Sequence, residues 1–152
     1  MTASLCFQVT GKALPAGSKT AVPITKGGAR VSTRVVESGN RSAKAAWRAD
    51  IQEAARRAIA TLGEEWPMDA PMQVIFTVYR TRPSSQLNSK GEPKPSAPPF
   101  PTTRPDLLKL ARAIEDALTG IAWHDDSQIV DEHLHKRYGD RDELTVEVAV
   151  LP

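Results

Sequence analysis

Residues 104–130 read RPDLLKLARAIEDALTGIAWHDDSQIV, and this stretch decides the fold. Apolar residues recur at helical spacing from Asp106 to about Leu118, and Gly120 follows where helices commonly end. The apolar stripe consists of Leu107, Leu110, Ala113, Ile114, Ala117 and Leu118. A strand is predicted to begin near Gln128. The stretch therefore predicts an amphipathic helix that is followed closely by a strand.

Outside this stretch, alternation of apolar and polar residues predicts the rest of a sheet. The strands are predicted at Ser4–Thr10, Met72–Tyr79, Gln128–Lys136 and Glu143–Leu151. An antiparallel hairpin through Tyr138–Asp140 is the simplest connection between the last two strands. Ser42 is predicted to cap an earlier helix that runs from about Ala43 to Leu62. The order of elements predicts an α/β or α+β fold, with a mixed sheet of about four or more strands packed by two main helices.

Two basic stretches are predicted to lie outside regular structure. Residues 12–40 are rich in Gly, Pro, Lys and Arg and are expected to be irregular, and the proline-rich residues 80–105 are expected to form a flexible loop. Both belong to one predicted domain, residues 1–152. Their cations are expected to contact a phosphate backbone. These cations are Lys12, Lys19, Lys26, Arg30, Arg34, Arg80, Arg82, Lys90, Lys94 and Arg104.

The charges of the chain are unevenly distributed. Residues 1–105 carry 15 Lys and Arg against 7 Asp and Glu, whereas residues 106–152 carry 5 against 11. A basic region beside an acidic cluster suits a metal-dependent enzyme that acts on a polyanion. The alternative is that both regions are ordinary solvated surfaces. The charge distribution alone slightly favours this alternative over an enzyme site.

Composition excludes several classes of protein. No apolar run approaches the roughly 18 residues that span a bilayer, and the N-terminus lacks a signal-type apolar stretch. The sequence therefore predicts a soluble, cytoplasmic protein without a membrane partner or small-molecule cofactor. Cys6 is the single cysteine, which excludes an internal disulfide and a cysteine zinc cluster.

The residues that bear chemistry are carboxylates around the second helix. Asp106 begins this helix, and Asp125 and Asp126 precede the strand that follows. If the helix packs back on the sheet, the three side chains are expected to converge, and carboxylate oxygens are the ligands that Mg²⁺ prefers. An isolated Asp-Asp pair is more often a solvated turn. The prediction of a metal site therefore depends on finding Asp106 at the helix start together with Asp125 and Asp126 before the strand.

This stretch resembles the RusA-type endodeoxyribonucleases. Their hallmark is an Asp-x-Asp-Asn helix start with a Lys four residues after the second Asp, followed by a Trp/Tyr-x-Asp-Asp-x-Gln-Val segment. The corresponding segments are Asp106-Leu107-Leu108-Lys109 and Trp123-His124-Asp125-Asp126-Ser127-Gln128-Ile129. The resemblance also covers the opening strand, the Ala-rich first helix and the proline-rich loop. It implies a Mg²⁺-dependent Holliday-junction resolvase of DNA recombination and repair, in which Mn²⁺ can substitute.

The resemblance assigns roles to five residues. Asp106 and Asp126 match the primary metal ligands, and Asp125 matches a further ligand. Arg112 stands where the family has its active-site Lys and can stabilise developing charge, but it stays protonated and cannot donate a proton. Lys109 lies one helical turn after Asp106 and can fill the proton-donating role.

Two departures from the family pattern leave alternatives open. Leu108 replaces the second Asp of the helix start, and Lys109 replaces the Asn. Glu115 or Asp116 can supply a replacement carboxylate from about the same helix face. Otherwise the chain is a junction-binding protein with weak or no cleavage, and a flap or fork nuclease is a third possibility. A homodimer is expected, because a four-way junction has two-fold symmetry.

Overall fold

The computed structural model describes residues 3–17, 19–37 and 39–152, without the side chains of Lys19 and Glu37. Within these residues, a mixed four-stranded sheet is packed by two helices. The strands and helices, in chain order, are β1 (Ser4–Thr10), β2 (Lys19–Lys26), β3 (Ala29–Glu37), α1 (Arg41–Leu62), β4 (Met72–Thr81), α2 (Leu107–Leu118), β5 (Ile129–Gly139) and β6 (Glu143–Val150). The main sheet has the order β1-β6-β4-β5, and β2 pairs with β3 separately. The predicted α+β class is confirmed.

One face of the main sheet forms the core against both helices. On β4, Met72, Val74, Phe76 and Val78 are buried while the residues between them are half-buried, so the predicted alternation is confirmed. Helix α1 packs on β1, and α2 packs beside β5. Burial of each large apolar side chain stabilises the fold by roughly 1.5–3 kcal/mol.

The predicted hairpin between the last two strands is wrong. Strand β4 lies between β5 and β6, pairing parallel with β5 and antiparallel with β6. The alternating pattern identified each strand but carried no information about its neighbour. The segment β4-α2-β5 is therefore a crossover in which α2 runs opposite to both strands. Helix α2 begins at the carboxyl ends of β4 and β5 and ends near the start of β5.

Residues 19–37 form a β-hairpin, which corrects the expectation of an irregular segment at 12–40. Strands β2 and β3 are joined at Gly27 and Gly28, whose φ angles are 59° and 82°. Positive φ at both positions is typical of a two-residue hairpin turn, where glycine carries no steric penalty. Two adjacent glycines between two segments rich in Val, Ile and Thr were the sequence signal for this hairpin. Its described side chains are almost all exposed, including Val31 and Val35.

The start of α1 also differs from the prediction. Asn40 is the N-cap, and its side-chain oxygen accepts hydrogen bonds from the Ala43 N–H at 3.1 Å and the Ser42 hydroxyl at 2.8 Å. The helix ends at Gly63 in the left-handed conformation, as expected. Neither helix in the described part of the chain is long and apolar enough to cross a membrane.

The proline-rich stretch is organised by local hydrogen bonds. Asn88 accepts from the backbone N–H groups of Lys90 and Glu92, each at 2.9 Å. The Arg82 guanidinium donates to Gln86 and Pro98 and lies 3.9 Å from the centre of the Tyr138 ring. The stretch lacks long regular elements, as predicted, but side chains fix its path. Its flexibility stays a prediction.

Candidate functional site

Asp106 is the N-cap of α2, but its carboxylate is not used for capping within the described structure. Its side chain is 63% exposed, and Oδ2 lies 3.9 Å from Lys109 Nζ. Capping would have turned the carboxylate onto the helix N–H groups. Asp106 therefore presents its oxygens, beside a cation, to an adjoining cleft.

This basic cleft has a volume of about 560 Å³ and contains Asp106. The Lys and Arg residues among its described lining are Lys12, Lys44, Arg80, Arg104 and Lys109. A smaller cleft of about 240 Å³ shares Lys12, Arg80 and Arg104 and adds Lys136. Cations on several sides of one carboxylate create a strongly positive surface, which is suited to a polyanion.

The sheet positions several cations of the basic cleft and of the smaller cleft beside it. Lys12 follows β1, and Arg80 stands near the carboxyl end of β4 and donates to the Ala13 carbonyl at 3.0 Å. Lys136 on β5 donates to the carbonyls of Thr103 and Pro105 at 2.9 Å and 3.1 Å. These bonds tie the entrance of α2 to the strand ends. The carboxyl end of parallel strands is a common place for ligand binding.

The turn that holds Asp125 and Asp126 lies at the start of β5. Asp125 caps a short 3-10 turn at residues 126–128 by accepting from the Ser127 N–H at 2.9 Å. Gln128 accepts from the N–H groups of His124 and Asp125 at 2.8 Å and 3.1 Å. Hydrogen bonds from Ser127 lower the pKa of Asp125. Asp125 is therefore an ionised structural cap, and Asp126 beside it is likewise exposed.

Glu115, near the end of α2, shares this end of the sheet. Burial, a hydrogen bond with Glu132 and the charges of Glu132, Asp126 and Asp116, in that order, raise the pKa of Glu115 to about 7. We call Glu115, Asp126 and Glu132 the acidic group. Its members repel one another when all are ionised, so a proton or a cation stabilises them.

The chain matches the family Endodeoxyribonuclease RusA over residues 21–149 of its 152 residues. It belongs to the RusA family. It is also 33% identical over 78 residues to the uncharacterized protein YqaN of Bacillus subtilis (strain 168). That similarity covers 50% of this chain and 55% of YqaN, so the chain spans about half the length of the curated relative that it matches.

The structure corrects one expectation for this RusA-family chain. Asp106 and the pair Asp125–Asp126 do not converge within one chain, because they lie at opposite ends of α2. The 12 residues of this helix span about 18 Å at roughly 1.5 Å per residue. The cleft that contains Asp106 is not lined by the pair. Across the described residues, no three His, Cys, Asp or Glu side chains group closely enough to hold a metal ion.

The remaining predicted site residues divide between the two ends of α2. Lys109 lines the basic cleft with Asp106. Leu108, Arg112 and Glu115 are spaced by four and three residues and share a helix face that leads toward the acidic group. Leu108 is 74% exposed, so its apolar side chain supports no core. Of the two candidate replacement carboxylates, Glu115 stands with Asp126, whereas Asp116 lines the space between the helices.

The predicted DNA-contacting cations occupy three kinds of position. Lys12, Arg80 and Arg104 line the basic cleft. The exposed cations of the hairpin and of the proline-rich stretch are Lys26, Arg30, Arg34 and Lys90. The remaining cations make local contacts or are not described. Arg82 contacts Gln86, Pro98 and the Tyr138 ring, and Lys94 donates to the Ser85 carbonyl at 2.8 Å. The Lys19 side chain lies outside the described structure.

Sequence reasoning missed four cations. Arg41, Lys44 and Arg48 stand on one face of α1, and Lys136 stands on β5. The spacing of the three α1 residues, three and four positions apart, was a readable signal for a basic helix face. The role of Lys136 had no local signal, because its partners lie about thirty positions earlier in the chain.

Proposed function

We propose that this RusA-family protein is a structure-selective endodeoxyribonuclease that cleaves four-way DNA junctions by phosphodiester hydrolysis in recombination and repair. The observation that carries this proposal is the exposed Asp106 carboxylate inside a cleft lined by cations. Family membership supports the reaction, and the positive cleft supports the substrate. We also propose that the protein acts in the cytoplasm, on chromosomal or mobile DNA.

The chain's own residues bind and orient the phosphodiester. Lys12, Arg80 and Arg104 neutralise phosphates on either side of the bond that is cut. Lys109 holds a proton close to Asp106, from where it can protonate the departing oxygen. Arg112 is placed one helical turn further on to stabilise negative charge as the bond breaks.

We propose Mg²⁺ as the cofactor, replaceable by Mn²⁺. A bound divalent ion would supply a water of lowered pKa and neutralise phosphate charge. The acids of one chain do not fit a finished site, because Asp106 and Asp126 are separated by the length of α2. Within the described residues, we propose Asp126, with Glu115 and Glu132 beside it, as the contribution of one chain to the site.

We propose that the working unit is a homodimer. Paired cuts in a two-fold symmetric junction need two active sites related by the same symmetry. A second copy also offers what one chain lacks, since Asp106 of one protomer can face the acidic group of the other. This arrangement accounts for an exposed catalytic acid at one end of the fold and an unneutralised acidic group at the other.

A second candidate is a junction-binding protein that cleaves weakly or not at all. The observation that favours it is Leu108, an exposed apolar side chain where the family has an acid. An apolar side chain cannot coordinate a metal ion, whereas the cations of the basic cleft are retained. Under this candidate, the protein holds branched DNA for another enzyme.

One experiment separates the candidates. Purified protein is incubated with end-labelled four-way junctions, flaps, forks and duplex of matched sequence, with Mg²⁺, with Mn²⁺ and with a chelator. Symmetric nicks across the junction that require a divalent ion support the resolvase. Binding without product supports the second candidate, and preferential cutting of flaps or forks indicates a different branched substrate. Failure to prefer any branched DNA over duplex contradicts the proposal.

A further inference from the structure

A further cleft lies between α1 and α2, beside the basic cleft. It has a volume of about 420 Å³. We call it the interhelix cleft. Arg41, Lys44 and Arg48 of α1 line one wall, and Ala113 and Asp116 of α2 line the other. Three cations against one carboxylate give it a net positive charge, so it suits an anionic ligand.

The cations of the interhelix cleft lie near the N-terminal end of α1, where positive charge does not stabilise a helix. Arg41 is the first residue of α1, and Lys44 and Arg48 follow within two turns, with no acid in the first turn. The N-terminal end of a helix carries partial positive charge and is stabilised by anions. Cations in the first turn are repelled by this partial positive charge. A bound phosphate would be attracted both by the cations and by the N-terminal end of the helix. The placement of Arg41 and Lys44 in the first turn therefore favours binding of an anion.

The floor of the interhelix cleft is apolar. It is formed by Leu14, Val35, Ala45, Trp47 and Ala113. Trp47 is only 5% exposed. A Cβ added to Gly11 would lie 3.4 Å from Cζ3 of Trp47, so this edge of the indole packs on the end of β1. The opposite edge carries Nε1, which is buried and has no hydrogen-bond partner in the described structure.

The combination of an apolar floor and a cationic wall matches one nucleotide. A base has apolar faces and a polar edge, and its phosphates carry the negative charge. A cleft of about 420 Å³ holds a single nucleotide, whereas a base pair within a duplex is too large to enter. The carboxylate of Asp116 can accept a hydrogen bond from the amino group of a base.

The interhelix cleft is continuous with the basic cleft. Lys44 and the segment at residues 14–16 line both clefts. A Cβ added to Gly39 would lie 3.1 Å from Lys44 Nζ, so this ammonium group stands over the start of α1. A strand whose phosphates occupy the basic cleft can therefore continue past Lys44 with the next nucleotide against the apolar floor.

We propose that the interhelix cleft binds one unpaired nucleotide of branched DNA, with its phosphates on Arg41, Lys44 and Arg48 and its base against Trp47 and Ala113. This inference rests on the proposed function and names how that function selects its substrate. A branch point supplies an unstacked nucleotide at a lower free-energy cost than an intact duplex does. The cleft therefore favours branched DNA over duplex independently of the cleavage chemistry.

The test measures binding in chelator, where no cleavage occurs. Junctions carrying 2-aminopurine at the branch point report unstacking by fluorescence, and duplex carrying the same base is the comparison. The variants are Arg48→Ala, which removes an exposed cation of the wall, and Ala113→Phe, which fills the cleft. Arg57→Ala is the matched control, because Arg57 is an exposed cation of α1 that does not line the cleft.

We expect Arg48→Ala to weaken junction binding about tenfold, the loss typical of one charge-assisted hydrogen bond. Ala113→Phe should weaken it by blocking the cleft, and both variants should abolish the fluorescence change. Duplex binding should change by less than about twofold, and Arg57→Ala should behave as wild type. Circular dichroism verifies folding. If Ala113→Phe does not fold, Arg48→Ala decides the question alone.

Two outcomes overturn the proposal and remain distinguishable from failure of the proposed function. If the wild type prefers junctions but Arg48→Ala matches Arg57→Ala, the interhelix cleft does not bind the nucleotide. If Arg48→Ala weakens duplex and junction equally, the cleft is only a general phosphate contact. If the wild type itself shows no preference for branched DNA, the proposed function fails first.

Discussion

At the scale of single residues, the main question is what Leu108 does. It occupies the place of a family acid, and it is exposed rather than packed in the core. Replacing it therefore tests chemistry without disturbing the fold. Its neighbours along the same helix face are Arg112 and Glu115, so an acid at position 108 would extend a surface that already leads to the acidic group.

We predict that Leu108→Asp raises the rate of junction cleavage by roughly tenfold or more, the scale expected for a group that tunes a metal site. The reason is that a carboxylate restores an oxygen ligand, and little burial is lost because Leu108 is exposed. Single-turnover cleavage measures the effect, with Leu108→Asn as an uncharged control of similar size. A lower rate in a folded variant would show that the site works around leucine.

Asp126 is predicted to be essential for cleavage but not for binding. Asp126→Asn removes the charge of the acid that does not cap the turn, so cleavage should be lost while junction affinity stays equal or rises, because one repulsion with DNA disappears. Gel shift and cleavage assays on the same preparation measure both. Asp140→Asn, an exposed acid in the turn after β5, is the control. Undiminished cutting would remove Asp126 from the site.

Glu115 is predicted to make stability depend on pH. Its pKa is about 7 when folded, against 4.5 for the ordinary side chain, so the folded state holds an extra proton between these values. This contribution is fully present below pH 4.5 and is lost as pH rises through 7. Chemical denaturation in chelator should show wild-type stability falling over this range. In Glu115→Gln the fall should be smaller, and an unchanged profile would contradict the assignment.

At the scale of elements, the hairpin β2–β3 stands out because its described side chains are largely exposed and it pairs only with itself among the described strands. A two-stranded hairpin has little stability of its own. Its Lys26, Arg30 and Arg34 add nothing to the core. We therefore propose that this element contacts the DNA backbone.

We predict that the double variant Arg30→Ala, Arg34→Ala lowers the salt dependence of junction binding. Each lost phosphate contact should reduce the slope of log affinity against log salt by about 0.9, so the double variant should lose about twice that. Thermal unfolding should be unchanged, because both side chains are exposed. Arg57→Ala on α1 serves as the control. An unaltered slope would exclude the hairpin from the DNA interface.

At the scale of the whole molecule, the crossover β4-α2-β5 separates the acids of one chain. Asp106 lies at the carboxyl ends of the strands, and Asp126 lies at the start of β5. A helix in such a crossover runs opposite to its strands, so its two ends cannot meet. The homodimer proposed above would resolve this separation through a site shared between two protomers.

Mixing two inactive variants tests the shared site. In a heterodimer of Asp106→Asn and Asp126→Asn protomers, one site would combine the intact Asp106 of one chain with the intact Asp126 of the other. We expect nicking activity to return on mixing, up to about half that of the wild type, because one of two sites is complete. Sedimentation should give twice the 16.5 kDa of one chain. A monomer, or no recovery from a verified heterodimer, would refute sharing.

The sequence by itself determined the elements that depend on local pattern. The amphipathic α2, the alternating β4 and the glycine that ends α1 were predicted because side-chain periodicity and backbone preference are local properties. The RusA resemblance was also carried by contiguous residues, from Arg104 to Val130, and the family match confirms it. The position of Asp106 at the start of α2 was predicted in the same way.

The tertiary structure decided which strands are neighbours and therefore where the acids lie. Period-two alternation marks a strand but is the same for parallel and antiparallel partners, so the place of β4 between β5 and β6 was not readable. Glu115 lies near Asp126, and Asp106 lies near Lys12 and Arg80, because α2 crosses from one end of the sheet to the other. Sequence supplied the reactive groups, and the direction of one helix determined which of them share a site.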